Sequence, residues 1–156
     1  MVKGEKYLKV CRKCKAACCK FGGPSFTEKE RKKVLKAGFK DYFFKVGPGI
    51  YEVKAEKGVC AYLKKDNSCE IHKVKPILCL CHPVFPNFEG KKGYTIIYCP
   101  LAKILSKKEI NKCKKEADRV SKKLLQVALD WGTIKNKSDR KLVQKRMKKF
   151  KIRELK

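Results

Sequence analysis

Four cysteines lie within nine residues near the start of the chain: Cys11, Cys14, Cys18 and Cys19. Thiolates are soft ligands, and several packed this closely suit zinc or an iron–sulfur cluster. Three of them have the spacing i, i+3 and i+7, so they share one face if the segment is a helix and can wrap one metal if it is a loop. Adjacent Cys18 and Cys19 cannot easily point at one atom from regular backbone. The pair therefore indicates a polynuclear centre, two neighbouring metals, or one ligand beside one packing residue.

Six further cysteines follow this run, and the cellular compartment decides how they are interpreted. The N-terminus is too polar for a secretory signal, and no apolar run approaches the ~18–20 residues of a membrane span. We therefore expect a cytoplasmic protein, in which ten cysteines are ligands rather than disulfides. The intracellular disulfides of hyperthermophiles are the alternative. The six are Cys60, Cys69, Cys79, Cys81, Cys99 and Cys113.

We expect residues 1–156 to form one domain. Its composition divides it into two parts, which contain the elements that must position these residues. Residues 1–100 hold nine of the ten cysteines, all six prolines and nine of the ten glycines. This composition predicts loops and short elements around a metal site. Residues 101–156 lack proline and are rich in Lys and Arg, which predicts a basic helical part packed on the first. The expected fold is a small, α-rich α+β domain, in which short strands or loops and packed amphipathic helices surround a cysteine-lined metal site.

Local signals in the first part predict one helix and several strands. Thr27 and Glu30 form a capping box before a helix predicted over about 28–37, and Gly38 supplies a left-handed stop. The predicted strands are 50–54, which alternates apolar and polar residues, 59–63 beyond a Lys57-Gly58 turn, and 94–98.

The second part begins with another capping box, formed by Ser106 and Glu109. Apolar residues then recur at helical spacing, which predicts one helix ending at Gly132. Ser138 is predicted to cap a last helix. The first apolar stripe comprises Ile110, Cys113, Ala117, Val120, Leu124, Val127 or Ala128, and Trp131; the last helix carries Leu142, Val143, Met147 and Phe150 on one face.

Several short motifs after the cysteine run give the chain a family resemblance. They are Cys60 with Leu63; Cys69 with Ile71 and His72; Pro76 with Cys79; Pro83; and Cys99-Pro100. Together with the first run, they resemble the YkgJ-type cysteine-cluster proteins, which are described as a zinc- or iron-chelating domain. The resemblance spans about residues 11–100. It implies metal ligation by the eight matching cysteines, namely Cys11, Cys14, Cys18, Cys19, Cys60, Cys69, Cys79 and Cys99.

The chain also departs from the family pattern. It has one extra residue between Cys14 and Cys18, and Lys75 and Leu80 stand where the family has Arg. The loss of both guanidinium groups weakens any inherited role in hydrogen bonding the site or an anionic partner. Three residues are lesser ligand candidates, and Cys113 is expected in the core because it lies on an apolar helix stripe. The lesser candidates are Cys81, His82 and His72, of which His72 is expected mainly to be structural.

Zinc and an iron–sulfur cluster both fit this set of ligands. Paired knuckles typical of structural zinc are clear only at Cys11/Cys14 and, with wider spacing, at Cys14/Cys18. The scattered later cysteines look less like a zinc ribbon, so the pattern slightly favours an iron–sulfur cluster. Eight cysteines could fill two four-thiolate sites, although counting does not prove two.

Three functions are compatible with the sequence. The first, which we favour, is a metal-binding protein with a structural, redox or metal-carrier role. The second is an iron–sulfur enzyme such as a protein methylase, because flagellin lysine N-methylases carry a similar cysteine cluster; no nucleotide or S-adenosylmethionine motif supports it, and whether the chain is an enzyme stays open.

The third function is a nucleic-acid-associated module that a structural metal holds together. The formal charge of +27 attracts anions, so nucleic acid or an acidic protein is a possible partner of the Lys-rich helices. The default interpretation of these lysines is a solvated helix face. They are Lys112, Lys115, Lys122, Lys123, Lys145, Lys148 and Lys149.

Overall fold

A computed structural model describes residues 5–130 and 137–156 of the 156-residue chain. Within those ranges it contains seven α-helices and three small antiparallel sheets, which confirms a small α+β domain. The helices are α1 (Glu5–Lys13), α2 (Glu28–Lys36), α3 (Ile77–Cys81), α4 (Pro100–Ile104), α5 (Lys107–Ala117), α6 (Lys122–Leu129) and α7 (Lys137–Met147), with 3-10 helices at Ala17–Lys20 and His72–Val74. None of these helices combines the length and the hydropathy that crossing a lipid bilayer requires.

The strands form three separate antiparallel groups. The first sheet has the order β1 (Ser25–Thr27), β3 (Ile50–Val53), β2 (Phe43–Gly47). The second is a hairpin of β4 (Ala55–Glu56) and β5 (Val59–Cys60), and the third has the order β6 (Val84–Pro86), β7 (Tyr94–Tyr98), β8 (Lys151–Leu155).

Both predicted capping boxes are confirmed. The Thr27 hydroxyl accepts a hydrogen bond from the Glu30 backbone N–H at 3.3 Å, and the Glu30 carboxylate accepts one from the Thr27 N–H at 2.8 Å. The same reciprocal pair joins Ser106 and Glu109. The first box begins α2. Gly38 follows the C-cap of this helix with φ +88° and ends it, as predicted.

The strand predicted over 50–54 is present, but one of its polar positions is buried. Glu52 is only 1% exposed, because β3 is the central strand and has β1 and β2 on its two sides. The Ser25 hydroxyl donates a hydrogen bond to Oε1 of Glu52 at 3.1 Å. Simple alternation does not distinguish a half-buried edge strand from a central strand that carries a buried, hydrogen-bonded carboxylate.

The strand predicted over 59–63 is wrong in its length. β5 ends at Cys60, because the Leu63 N–H bonds to the Cys60 carbonyl at 3.0 Å and turns the chain. Leu63 then forms an isolated antiparallel bridge with Cys69. The turn before β5 is as expected, with Lys57 and Gly58 both at positive φ.

The single helix predicted from residue 107 onwards is two helices. α5 ends at Ala117 and α6 starts at Lys122, because the Ser121 hydroxyl accepts a hydrogen bond from the Leu124 N–H at 3.1 Å and caps a new helix. The apolar period continues across this break, so periodicity alone did not reveal it. The predicted positions Trp131 and Gly132 lie outside the described residues.

The end of the chain differs from its prediction in two ways. A last helix is present, but Ser138 lies inside its first turn rather than at its cap, because α7 already begins at Lys137. The C-terminal part is also not purely helical, since β8 pairs with β7 along its whole length. The short β8 segment follows a Lys-rich helix directly and carries no turn signal that would have marked it.

Buried side chains form three clusters. The largest joins β6, β7, α4 and α5 and includes Cys113, which is 0% exposed, as its place on the apolar stripe predicts. The second cluster lies between α2 and the first sheet, and the third lies where α3 and α6 meet β3. The seven lysines predicted on solvated faces are exposed.

Helix α7 docks on the turn between β4 and β5. Val143 is fully buried there, and an added Cβ on Gly58 would overlap its Cγ2 atom. The Phe150 ring also packs edge-on against Phe21, with ring centroids 5.9 Å apart. Gly58 is therefore required both by its φ of +78° and by the close approach of α7.

We expect Gly58→Ala to destabilise the fold by about 2–4 kcal/mol, which combines left-handed strain with overpacking against Val143. Gly90→Ala is the matched control, because Gly90 has φ +75° but no atom within 4 Å of an added Cβ. It should cost only about 1–2 kcal/mol. Denaturant unfolding measures both, and equal losses would contradict the packing account.

Candidate metal centre

One cavity of about 290 Å³ collects cysteines from both halves of the predicted ligand set. Its wall includes six of the eight predicted thiols and both histidines. None of the ten cysteines, all of which lie in the described residues, forms a disulfide. The wall residues of this thiol cluster are Cys11, Cys18, Cys19, Cys60, Cys69, Cys79, His72 and His82.

The N-terminal cysteines do not share one helix face. α1 ends at Lys13, and Lys15 and Ala16 take left-handed conformations with φ of 58° and 48°. The chain thereby reverses into the 3-10 helix that carries Cys18 and Cys19. The extra residue relative to the family spacing falls in this reversal.

The reversal separates Cys14 from the other thiols of the run. Its Sγ donates to the Cys11 carbonyl at 3.2 Å and does not line the cavity. Cys11, Cys18 and Cys19 do line it. The three spaced thiols therefore neither share one helix face nor all meet at one cavity, whereas the adjacent pair Cys18 and Cys19 does reach it.

The later cysteines come from three short elements. Cys60 ends β5, and Cys69 is held beside Leu63 by the isolated bridge. Cys79 lies on α3, whose first N–H, that of Ile77, donates to Glu30 Oε1 at 2.8 Å. The carboxylate that completes the first capping box thus also fixes the helix that carries Cys79.

The two cysteine segments are joined through backbone groups. The Gly22 N–H donates to the Gly58 carbonyl at 2.7 Å. Arg146 on α7 then donates from one guanidinium nitrogen to the Lys20 carbonyl at 2.9 Å and to the Lys57 carbonyl at 2.7 Å. Three segments that are far apart in sequence therefore meet behind Cys18, Cys19 and Cys60.

The cavity thiols shift one another's pKa values. A hydrogen bond with Cys19, followed by burial, raises the pKa of Cys18 to about 12, and His82 partly opposes this shift. Burial, with a smaller contribution from Cys69, raises the pKa of Cys60 to about 11. Burial also raises the pKa of Cys69, while the Lys75 ammonium acts in the opposite direction. These thiols are neutral at neutral pH in the metal-free chain.

Two predicted candidates lie behind the cavity wall rather than on it. Cys99 precedes α4, and its Sγ is 3.5 Å from Nε2 of the buried His82, which itself lines the cavity. Cys81 is fully buried, and its Sγ donates to the Leu78 carbonyl at 3.5 Å. Cys99 therefore reaches the thiol cluster through an imidazole, whereas Cys81 is part of the packing.

The donor set has the chemistry of a soft-metal site, but it is not preassembled. Six thiols and two imidazoles suit zinc, iron or an iron–sulfur cluster. Among the described residues, however, no three His, Cys, Asp or Glu side chains are already placed to hold one metal ion. Binding would have to draw thiols inward from the cavity wall and remove their protons.

Two features of the site were missed from the sequence. Lys75 lines the cavity, with its Nζ 3.4 Å from His72 Nδ1, so a cation persists where the family has Arg. The cavity wall also includes apolar side chains, among them Leu125 and Leu129 of α6. The spacing i and i+4 of these two leucines marks a second apolar face on α6 beside the predicted stripe.

The fold and the cavity together define a small α+β domain with a thiol-rich site. A family model matches residues 10–117, and its description is CxxCxxCC, "putative zinc- or iron-chelating domain". The chain belongs to this family, which supports metal binding in general. No curated protein and no solved structure matches the chain.

The raised thiol pKa values predict how the stability of the metal-free protein depends on pH. The pKa of Cys60 is about 11 and that of Cys18 about 12 in the folded protein, against 9.0 for an unperturbed thiol. The fold therefore has its full stability below about pH 9 and loses stability as the pH rises through these values. Denaturant unfolding from about pH 8 to 11 should show this decline. Replacing Cys18 and Cys60 by Ala should flatten it, and a rise in stability over the same range would contradict the assignment.

Proposed function

We propose that this protein is a cytoplasmic metal-binding protein whose thiol cluster holds an iron–sulfur cluster or zinc. One observation carries the proposal: cysteines from two segments about 40 residues apart in sequence line a single cavity. Burying many thiols around a space gives no packing advantage over apolar residues. Metal ligation accounts for both their number and their placement.

The proposed ligands are the eight family-matching cysteines, with different positions in the site. Cys18, Cys19, Cys60 and Cys69 form its centre, because their ionisation is linked: Cys19 acts on Cys18, Cys18 on Cys69, and Cys69 on Cys60. Cys11 and Cys79 line the same cavity. Cys14 follows Cys11 by one helical turn, and Cys99 lies behind His82, so both would join through a local rearrangement.

The adjacent pair favours an iron–sulfur cluster over a single zinc ion. Both Cys18 and Cys19 line the cavity, and their thiols are hydrogen bonded to each other. Neighbouring residues rarely bind the same mononuclear ion, whereas a cluster offers separate iron atoms to separate thiolates.

The proposed role is structural, redox or metal carriage, and the fold favours a structural contribution. Both cysteine segments consist of short helices and strands joined by turns, and metal ligation would cross-link them. Because no three donors are preassembled, binding would order the segments and add its free energy to folding.

Anaerobic purification should give protein that contains stoichiometric metal. Brown protein with iron and acid-labile sulfide identifies a cluster, and colourless protein with zinc identifies the other metal. Cys18→Ser and Cys60→Ser should each lose most of the bound metal, because each removes a central thiolate. Cys113→Ala is the matched control, since this buried thiol belongs to the core and should cost only about 1 kcal/mol of stability without changing the metal content.

Elemental analysis and the visible spectrum of the folded variants measure these effects. If the wild-type protein holds no metal after anaerobic purification and reconstitution with iron and sulfide or with zinc, the proposed function is wrong. Equal metal loss in Cys113→Ala and Cys18→Ser would contradict the ligand assignment.

Metal removal should lower stability. A ligand present at a thousand times its dissociation constant stabilises the folded state by about 4 kcal/mol, so chelation should lower Tm by several degrees. Calorimetry with and without chelator measures the change. Cys18→Ser/Cys60→Ser should melt at the lower temperature in both conditions. An unchanged Tm for metal-depleted wild-type protein would exclude the structural contribution.

A further inference from the structure

The cavity wall includes apolar side chains that are not metal ligands. Besides the thiols and imidazoles, the wall is formed largely by aromatic and aliphatic side chains. The Phe85 ring packs against Phe88, with centroids 5.9 Å apart, and against His82 at 5.7 Å. We call this wall the aromatic half; it comprises Tyr7, Phe21, Phe85, Phe88, Leu125 and Leu129.

The cavity is large enough for a small organic molecule. Its volume of about 290 Å³ is close to the lower end of ordinary ligand pockets, at roughly 300 Å³. An engineered apolar cavity of about 150 Å³ already binds benzene.

The charge of the lining limits the class of ligand. Among the described residues, Lys75 is the only Lys, Arg, Asp or Glu in the cavity wall, and it lies beside His72 and Cys69. An ionised group in the aromatic half would lose its hydration without a partner there, which is costly. The side chain of Leu129 on α6 is partly open to solvent, so the apolar half is reachable from outside.

We propose that the aromatic half binds a small, uncharged, aromatic molecule beside the thiol cluster. Ring edges and faces from Tyr7, Phe21, Phe85 and Phe88 supply contacts that favour an aromatic over an aliphatic ligand. Uptake of the ligand depends on the cavity alone. Its position next to a metal rests on the proposed function.

Indole is a suitable probe, because it is neutral, aromatic and small enough for this volume. The full-length protein, with its metal content measured on the same sample, is titrated with indole, and binding is followed by saturation-transfer NMR and equilibrium dialysis. We expect saturable binding. Benzoate should bind at least tenfold more weakly than benzyl alcohol, although the chain carries a formal charge of +27.

Two substitutions on α6 locate the site. Ala128 is exposed and lines the cavity, so Ala128→Phe should fill part of the opening and weaken indole binding at least tenfold without disturbing the core. Gln126→Phe is the control, because Gln126 is equally exposed on the same helix but does not line the cavity. It should leave binding unchanged, and both variants should retain wild-type metal content.

Three results would overturn the proposal: no saturable binding of indole by wild-type protein, equal binding by Ala128→Phe, or benzoate binding as tight as that of benzyl alcohol. Metal-loaded protein that fails to take up indole would contradict this inference and leave the metal site standing. Saturable indole binding by protein that never takes up metal would support the ligand site while the proposed metal function fails.

Discussion

The junction at Arg146 is the interaction on which the site depends. One guanidinium nitrogen bonds to the carbonyls of Lys20 and Lys57, and these residues belong to the two cysteine segments. A charge-assisted donor shared by two carbonyls holds together loops that have little secondary structure of their own. Gly58 permits the contact, because any side chain there would collide with α7. The basic C-terminal part is therefore part of the architecture of the site, even though its lysine faces are solvated.

Burial and ionisation oppose each other in the thiol cluster. The fold places thiols where burial raises their pKa, which keeps them neutral and easily accommodated beside apolar side chains. The same burial disfavours the ionised thiolate form unless a positive charge lies nearby. A metal cation supplies that charge directly, and the Lys75 ammonium near Cys69 lowers the cost at one edge of the cluster. The chain as a whole is cationic, so thiolate charge is also favoured at longer range.

Sequence reasoning succeeded where a structure is determined locally and failed where it depends on distant partners. The capping boxes at Thr27 and Ser106 and the stop at Gly38 need only neighbouring residues, and all three are confirmed. The break at Ser121 was hidden by an apolar period that continues through it, and β8 exists because β7 offers it an edge. The shared cavity was implied by the family motif, but its aromatic half was not, because no motif records which side chains from other elements face the cysteines.

If Cys18 and Cys60 bind one metal centre, as proposed, the junction at Arg146 and metal binding would depend on each other energetically. Ligation by both thiols would require the 3-10 helix and β5 to keep their mutual position, and Arg146 bonds to the Lys20 and Lys57 carbonyls near them. Any interaction that stabilises this arrangement would lower the conformational-entropy cost of metal ligation. Linkage requires the reverse to hold equally, so ligation by these thiols would stabilise the docking of α7 by the same free energy. Such a site would gain affinity from tertiary packing, whereas a zinc knuckle gains it from a single local turn.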